Sequence, residues 1–185
     1  MIGGVGTYPP YSSRKFWIDS ALSNVSSSGT QFSYADLVSL AVMDWRDNTV
    51  AQTPINLNYT ATQSQSQFEF WKDTTLPTYV LGSTSFWQGY NPVNINSSTG
   101  ALELNYSWAK ISLNTSALNS CFPSSMATQR KATISHELGH GFGLSHRNNI
   151  PSSIMCQSGG GRTAAAPSSI DCSTINHLYP NPSYK

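Results

Sequence analysis

Three of the chain's four histidines and one of its three glutamates fall between His136 and His146, in the order H-E-x-x-H-x-x-G-x-x-H. Imidazole nitrogens bind metal ions, and a carboxylate beside them can take a proton from water, so the chemistry on offer is metal-assisted hydrolysis. On an α-helix, residues i and i+4 share a face, which lets His136 and His140 present ring nitrogens to a single ion. Glu137 points toward the same region without being needed as a ligand and is the candidate base. Gly143 stands where that helix must stop, because glycine enters the left-handed conformation without steric cost, and His146 then returns as the third ligand. Three neutral imidazoles with one position left open describe a catalytic Zn2+ site, whereas a structural zinc is closed by a fourth protein ligand, usually a thiolate.

These residues need a helix beneath them and a scaffold behind it. Ile134, Leu138 and Phe142 recur every fourth residue as the buried stripe of that helix, which Pro123, Ser124 and Ser125 open. Upstream, RKFWIDSAL (14–22) reads as a first strand. FSYADLVSLAVMDWRDNT then reads as a helix with Leu37, Val38, Ala41, Val42 and Trp45 on one face and Ser33 as its N-cap. INLNYTAT alternates as a second strand. From Gln63 to Asn114 three more short strands are expected, around QFEFW, TYVLGSTSFW and LELNYSWAKISLN, with turns at Leu76-Pro77, Asn91-Pro92 and Ser98-Thr99-Gly100. After His146 little regular structure is expected until Pro167, and DCSTINHLY closes the chain as a helix.

A chain of 185 residues is a one-domain length. Its net charge of +1 gives no basic patch for nucleic acid. No apolar run approaches the roughly 20 residues of a membrane span. The start, MIGGVGTYPPYSSRK, lacks the charged and apolar regions of a signal peptide, yet the Ser, Thr and Asn richness with little lysine fits a secreted, extracellular protein whose leader or pro-segment has been removed. Of three cysteines, Cys156 and Cys172 bracket a Gly-, Ala- and Ser-rich loop that a disulfide would restrain. Spacing does not fix connectivity, and Cys121 is then free or displaces either partner. Calcium (Ca2+) is left open, since nine acidic residues with no D-x-D-x-D run gather few oxygen ligands.

His136, Glu137, His140, Gly143 and His146 resemble the extended zinc motif of the metzincin metallopeptidases, and Met155 in SSIMC sits where that family has its Met-turn. Within the clan the chain is most similar to the matrixins and their small bacterial relatives, because SSIDCSTINHLYP resembles their closing helix ending in Leu-Tyr. The resemblance implies an α+β fold: a twisted, mostly parallel five-stranded sheet, two long helices, a zinc cleft and a small C-terminal subdomain ending in a helix. The single catalytic domain, residues 1–185, would divide into an upper part of about 1–143 and a lower part of about 144–185. It further implies a monomeric zinc endopeptidase acting on protein or peptide substrates. An edge strand would hold the substrate backbone by strand augmentation, with Val80 to Ser85, and first Val80, Leu81, Gly82 and Ser83, as candidates. Two departures stand out: Gln157 replaces the tyrosine some metzincins carry two residues after the methionine, and Ile170-Asp171 keeps only the second of the matrixins' paired acids. Asp171 is still placed to bond the Met-turn backbone. In the small-residue segment after Met155 the pocket beyond the cleaved bond is expected to favour a medium or large apolar residue, unless Arg162 closes it. The rival functions are a glycan-binding module, in which Trp71, Trp87, Tyr90 and Trp108 stack on sugar rings, and a non-peptide zinc amidase with the same metal site.

Overall fold

The computed structural model describes residues 14–23, 32–96, 102, 104–123 and 126–179. Six strands form one mixed sheet: β1 (Arg14–Ile18), β2 (Leu57–Tyr59), β3 (Phe68–Lys72), β4 (Gly82–Gln88), β5 (Asn91–Val93) and β6 (Trp108–Leu113). Their order is β2-β1-β3-β6-β4-β5. The pairs from β2 to β6 are parallel, and β4 runs antiparallel to both β6 and β5. The helices among the described residues are α1 (Ser20–Ser23), α2 (Tyr34–Arg46), α3 (Thr115–Cys121), α4 (Ala127–Gly141) and α5 (Ser169–Leu178), making the chain α+β. None is long and apolar enough to cross a membrane.

Strand alternation sorts the side chains into two faces. Phe16, Phe68, Phe70, Phe86, Ala109, Ile111 and Leu113 are buried, and their register puts them on the face toward α2 and α4. Phe142, just past α4, packs on Phe68 at 5.3 Å and on Trp45 of α2 at 5.5 Å between ring centroids. Trp17, Trp71, Lys110, Trp108 and Trp87 occupy register positions on the opposite face.

α2 forms as its sequence directs. Ser33 caps it in a reciprocal box, accepting from the Asp36 amide at 3.2 Å while Asp36 accepts from the Ser33 amide at 2.7 Å. Its stripe of Leu37, Val38, Ala41, Val42 and Trp45 is buried and lies on α4, where the Trp45 indole donates to the Ser135 carbonyl at 3.0 Å.

Three expectations are corrected. The sheet has six strands rather than five, because Gly89 at φ +60° turns the chain back and β5 pairs with Phe86–Gln88. Pro92, expected in a turn, sits within β5, and the sheet tolerates it there because β5 is an edge. The first strand ends at Ile18 instead of running on, since the Asp19 carboxylate accepts from the Ala21 amide at 3.0 Å and starts α1. α3 was not foreseen; Asn114 caps it by accepting from the Ala117 amide at 3.1 Å. α4 begins at Ala127, and the proposed openers Ser124 and Ser125, like the Ser98-Thr99-Gly100 turn, lie outside the described residues.

Candidate metal centre

α4 carries His136, Glu137 and His140, and its ending brings in His146. Gly143 has φ +92°. Its amide donates to His140 O at 2.8 Å and the Leu144 amide to Gly139 O at 3.0 Å, the pair of bonds of a Schellman stop, which a glycine at this position allows. The next two orphan carbonyls are met by side chains: the Tyr106 hydroxyl donates to Gly141 O at 2.5 Å and the Tyr179 hydroxyl to Phe142 O at 2.7 Å. Tyr179, at the end of the closing helix, thus supports the helix that carries His136 and His140 directly.

The three imidazoles converge. His140 Nε2 lies 3.2 Å from His136 Nε2 and 3.1 Å from His146 Nε2. On the other side of two of the rings the protein chooses the tautomer: His136 Nδ1 is 2.8 Å from Ile154 O, and His140 Nδ1 is 2.7 Å from Leu144 O. A carbonyl only accepts, so in both neutral rings the proton sits on Nδ1, and Nε2 offers a bare lone pair. Lone pairs held this close repel one another unless a cation lies between them. Tetrahedral coordination with metal–nitrogen bonds of about 2.0–2.1 Å would set the nitrogens roughly 3.3 Å apart, close to the separations found. Among the described residues this cluster could hold a metal ion. Burial pulls the His136 pKa down to about 2 and that of His140 to about 4, and lowers that of His146, so the rings are neutral, as ligands must be.

A turn from Ser153 to Cys156 supports the centre from below. Asp171, fully buried at the start of α5, accepts from the Ile154 amide at 2.9 Å, from Ser153 Oγ at 2.5 Å, and from the Ser168 amide and hydroxyl at 2.9 and 2.7 Å. One carboxylate thus caps α5 and holds the residue whose carbonyl orients His136. Met155 is buried, and a Cβ on Gly139 would run into its sulphur and approach the Trp45 ring to 3.1 Å. Glycine at 139 is what lets Met155 and α2 close on the helix between the two ligands.

Glu137 lies against the sheet. Thr84 Oγ1 is 2.9 Å from Glu137 Oε2 and 2.8 Å from Glu137 O, and a Cβ on Gly82 would meet Glu137 Cγ at 2.8 Å. Burial raises its pKa to about 7, against the Thr84 hydrogen bond and the Arg162 charge. The sequence did not point to Thr84; its only local signal is β4 alternation, which turns residues 82, 84 and 86 toward α4.

Val80, Leu81, Gly82 and Ser83 line a cavity of about 650 Å³ together with the three histidines, Glu137 and Arg162. β5 pairs with β4 only at Phe86–Gln88, so among the described residues no strand pairs with Gly82–Ser85 on the side away from β6. The expected Cys156–Cys172 bridge is not formed, and Cys121 is likewise a free thiol. Cys156 Sγ faces the carbonyls of Gln157 and Gly160 at 3.5 Å, turned into the loop it was to clamp. Burial, aided by the Asp171 charge, pushes the Cys172 thiol up to about 11. The aromatic set divides: Trp87 and Trp108 stack on each other at 5.3 Å and 11°, Trp71 tilts on Trp17 at 5.0 Å, and Tyr90 is exposed. Compared with known proteins, the chain matches no family model and no curated sequence.

Proposed function

We propose that the chain is a secreted zinc endopeptidase of metzincin type, similar to the matrixins. The observation that carries this is the position of Glu137: a buried carboxylate held by Thr84 beside three metal-ready imidazoles, lining a cavity bordered by a strand edge that no described strand pairs with. A structural metal site has no use for such a group. His136, His140 and His146 would hold Zn2+, which when bound polarises a carbonyl and acidifies water. Glu137 would accept the proton from the attacking water and hand it to the departing amine. Thr84 keeps the carboxylate turned toward the cavity. The edge from Gly82 to Ser85 offers amides and carbonyls to an extended peptide; that favours a peptide over a small amide substrate. The mixed sheet, the turn at Met155 and the Asp171 anchor support the metzincin resemblance. The glycan-binding alternative is weakened by Trp87 and Trp108, whose facing ring surfaces are taken up by each other.

The test is Glu137→Ala, loaded with zinc and checked for metal by atomic absorption. Peptide cleavage should fall by about 10²–10⁴-fold, and chelation of the wild type should abolish it. Full activity in a zinc-bound Glu137→Ala protein would overturn the assignment.

A further inference from the structure

Arg162 stands in the wall of the same cavity as the histidines. Its Nη2 donates to Thr133 Oγ1 at 2.9 Å and to Ser158 Oγ at 3.1 Å, and its Nη1 to Cys156 O at 3.4 Å. Each of these partners is neutral. Among the described residues no carboxylate comes within ion-pair distance of it. A guanidinium has five N–H donors, so Nε–H and one Nη1–H remain for another acceptor. Arg162 is half-buried; burial lowers its pKa below its ordinary value, and the Glu137 charge in the same cavity offsets only part of this.

Its place is fixed from two sides. Thr133 lies one helical turn before Glu137 on α4, and its hydroxyl donates its proton to Gln129 O at 3.1 Å, leaving its lone pairs for Arg162. Cys156, whose carbonyl takes Nη1, directly follows Met155. The guanidinium is therefore moored both to α4 and to the residue after Met155, beside the three histidines, with unused donors and, among the described residues, no carboxylate within ion-pair distance.

We propose that Arg162 is the receptor for a substrate carboxylate immediately beyond the cleaved bond, so that the enzyme prefers Glu or Asp there instead of the apolar residue expected from the sequence. This rests on the peptidase reading above. A free C-terminal carboxylate offers the same chemistry, and the test separates the two sources.

Fluorogenic peptides amidated at the C-terminus and differing only in Glu, Gln or Leu after the bond are compared on the zinc-loaded wild type, Arg162→Ala and Arg162→Lys. The wild type should cut the Glu peptide with kcat/KM at least tenfold above Gln and Leu. Arg162→Ala should lose that preference while still cutting the Leu peptide, and Arg162→Lys, which keeps the charge and is the fallback if the alanine variant does not fold, should retain part of it. Equal or better cleavage of Leu by the wild type overturns the proposal, as does a Glu preference that survives in Arg162→Ala. If instead a peptide ending one residue past the bond is cut tenfold faster as the free acid than as the amide, and only with Arg162 present, the receptor stands and its ligand is the chain terminus. If nothing is cut, the peptidase reading falls, and binding decides the receptor: Glu-Ala-Ala amide should bind tenfold tighter than Leu-Ala-Ala amide only when Arg162 is present, and equal binding overturns it.

Discussion

The floor of the cavity and its rim are built on different terms. On the floor, residues 132–139 of α4 and the Ser153–Cys156 turn are buried, and each carbonyl that orients a histidine is itself held: Ile154 O faces His136 because Asp171 grips the Ile154 amide, and Leu144 O faces His140 because the Schellman stop places it. On the rim, residues 157–161 are exposed, and a Cβ built on Gly159 or Gly161 meets nothing within 4 Å. Among the described residues, the β4 edge from Gly82 to Ser85 has no partner strand on the side away from β6. Groups that could hold an ion are over-determined, whereas groups that would meet varied substrates under the proposed function are left adjustable.

On that contrast, Asp171→Ala should have the largest effect, since it strips four hydrogen bonds from a fully buried site. A loss of about 3 kcal/mol is expected by chemical denaturation, with weakened zinc affinity; an unchanged midpoint would remove the floor's anchor. Gly139→Ala comes next: the added methyl must displace Met155 or Trp45, at about 1–3 kcal/mol, measurable by the same means. Thr84→Val spans floor and rim. It should lower kcat about tenfold, the worth of one hydrogen bond to a charged group, with KM and stability little changed; a pure KM effect would assign Thr84 to substrate binding instead.

Acid should destabilise the metal-free floor. His136 and His140 titrate near about 6.5 when unfolded but at about 2 and about 4 when folded. Their contribution is complete above the unfolded value and is lost as pH falls toward the folded ones. Glu137 runs the other way: raised to about 7 in the fold from about 4.3 unfolded, its contribution is complete below the unfolded value and lost as pH rises through the folded one. Between about pH 5 and 6.5 two imidazoles outweigh one carboxyl, so stability should rise with pH by on the order of 1 kcal/mol per unit. Denaturation of the chelated protein at pH 5 and 6 checks the slope. The smallest effect belongs to the rim: Gly159→Ala should change stability by no more than about 0.5 kcal/mol.

The parts of the site that sequence announced are those set by local spacing. His136, Glu137 and His140 on one helix, the glycine stop at 143, the Ser33 cap and the stripe of α2 all follow from the helical period or from turn chemistry within a few residues. The link from Asp171 to the Met155 turn was anticipated from the family resemblance. What stayed hidden is set by distant partners. Gly82 and Thr84 matter because β4 crosses α4 at Glu137, 53 residues away along the chain from Thr84. Gly139 reads as a weak spot in a helix until Met155 and Trp45 are seen against it. β5 was missed because Pro92 reads as a turn, and α3 because TSALNSC is short and polar. The cysteine pairing failed because loop length says nothing about which way a thiol faces.

The turn that ends α4 has a consequence for dynamics. Gly143 and Leu144 donate their amides back to His140 O and Gly139 O, and the carbonyl of that same Leu144 orients His140. Fraying of the last helical turn and loosening of His140 are therefore one motion. A bound ion that draws His140 toward His136 and His146 must also tighten these two amides, and its removal must let them open. Deuterium uptake at Gly143 and Leu144, read with and without metal, would then act as an occupancy gauge that works in the intact protein and needs no substrate.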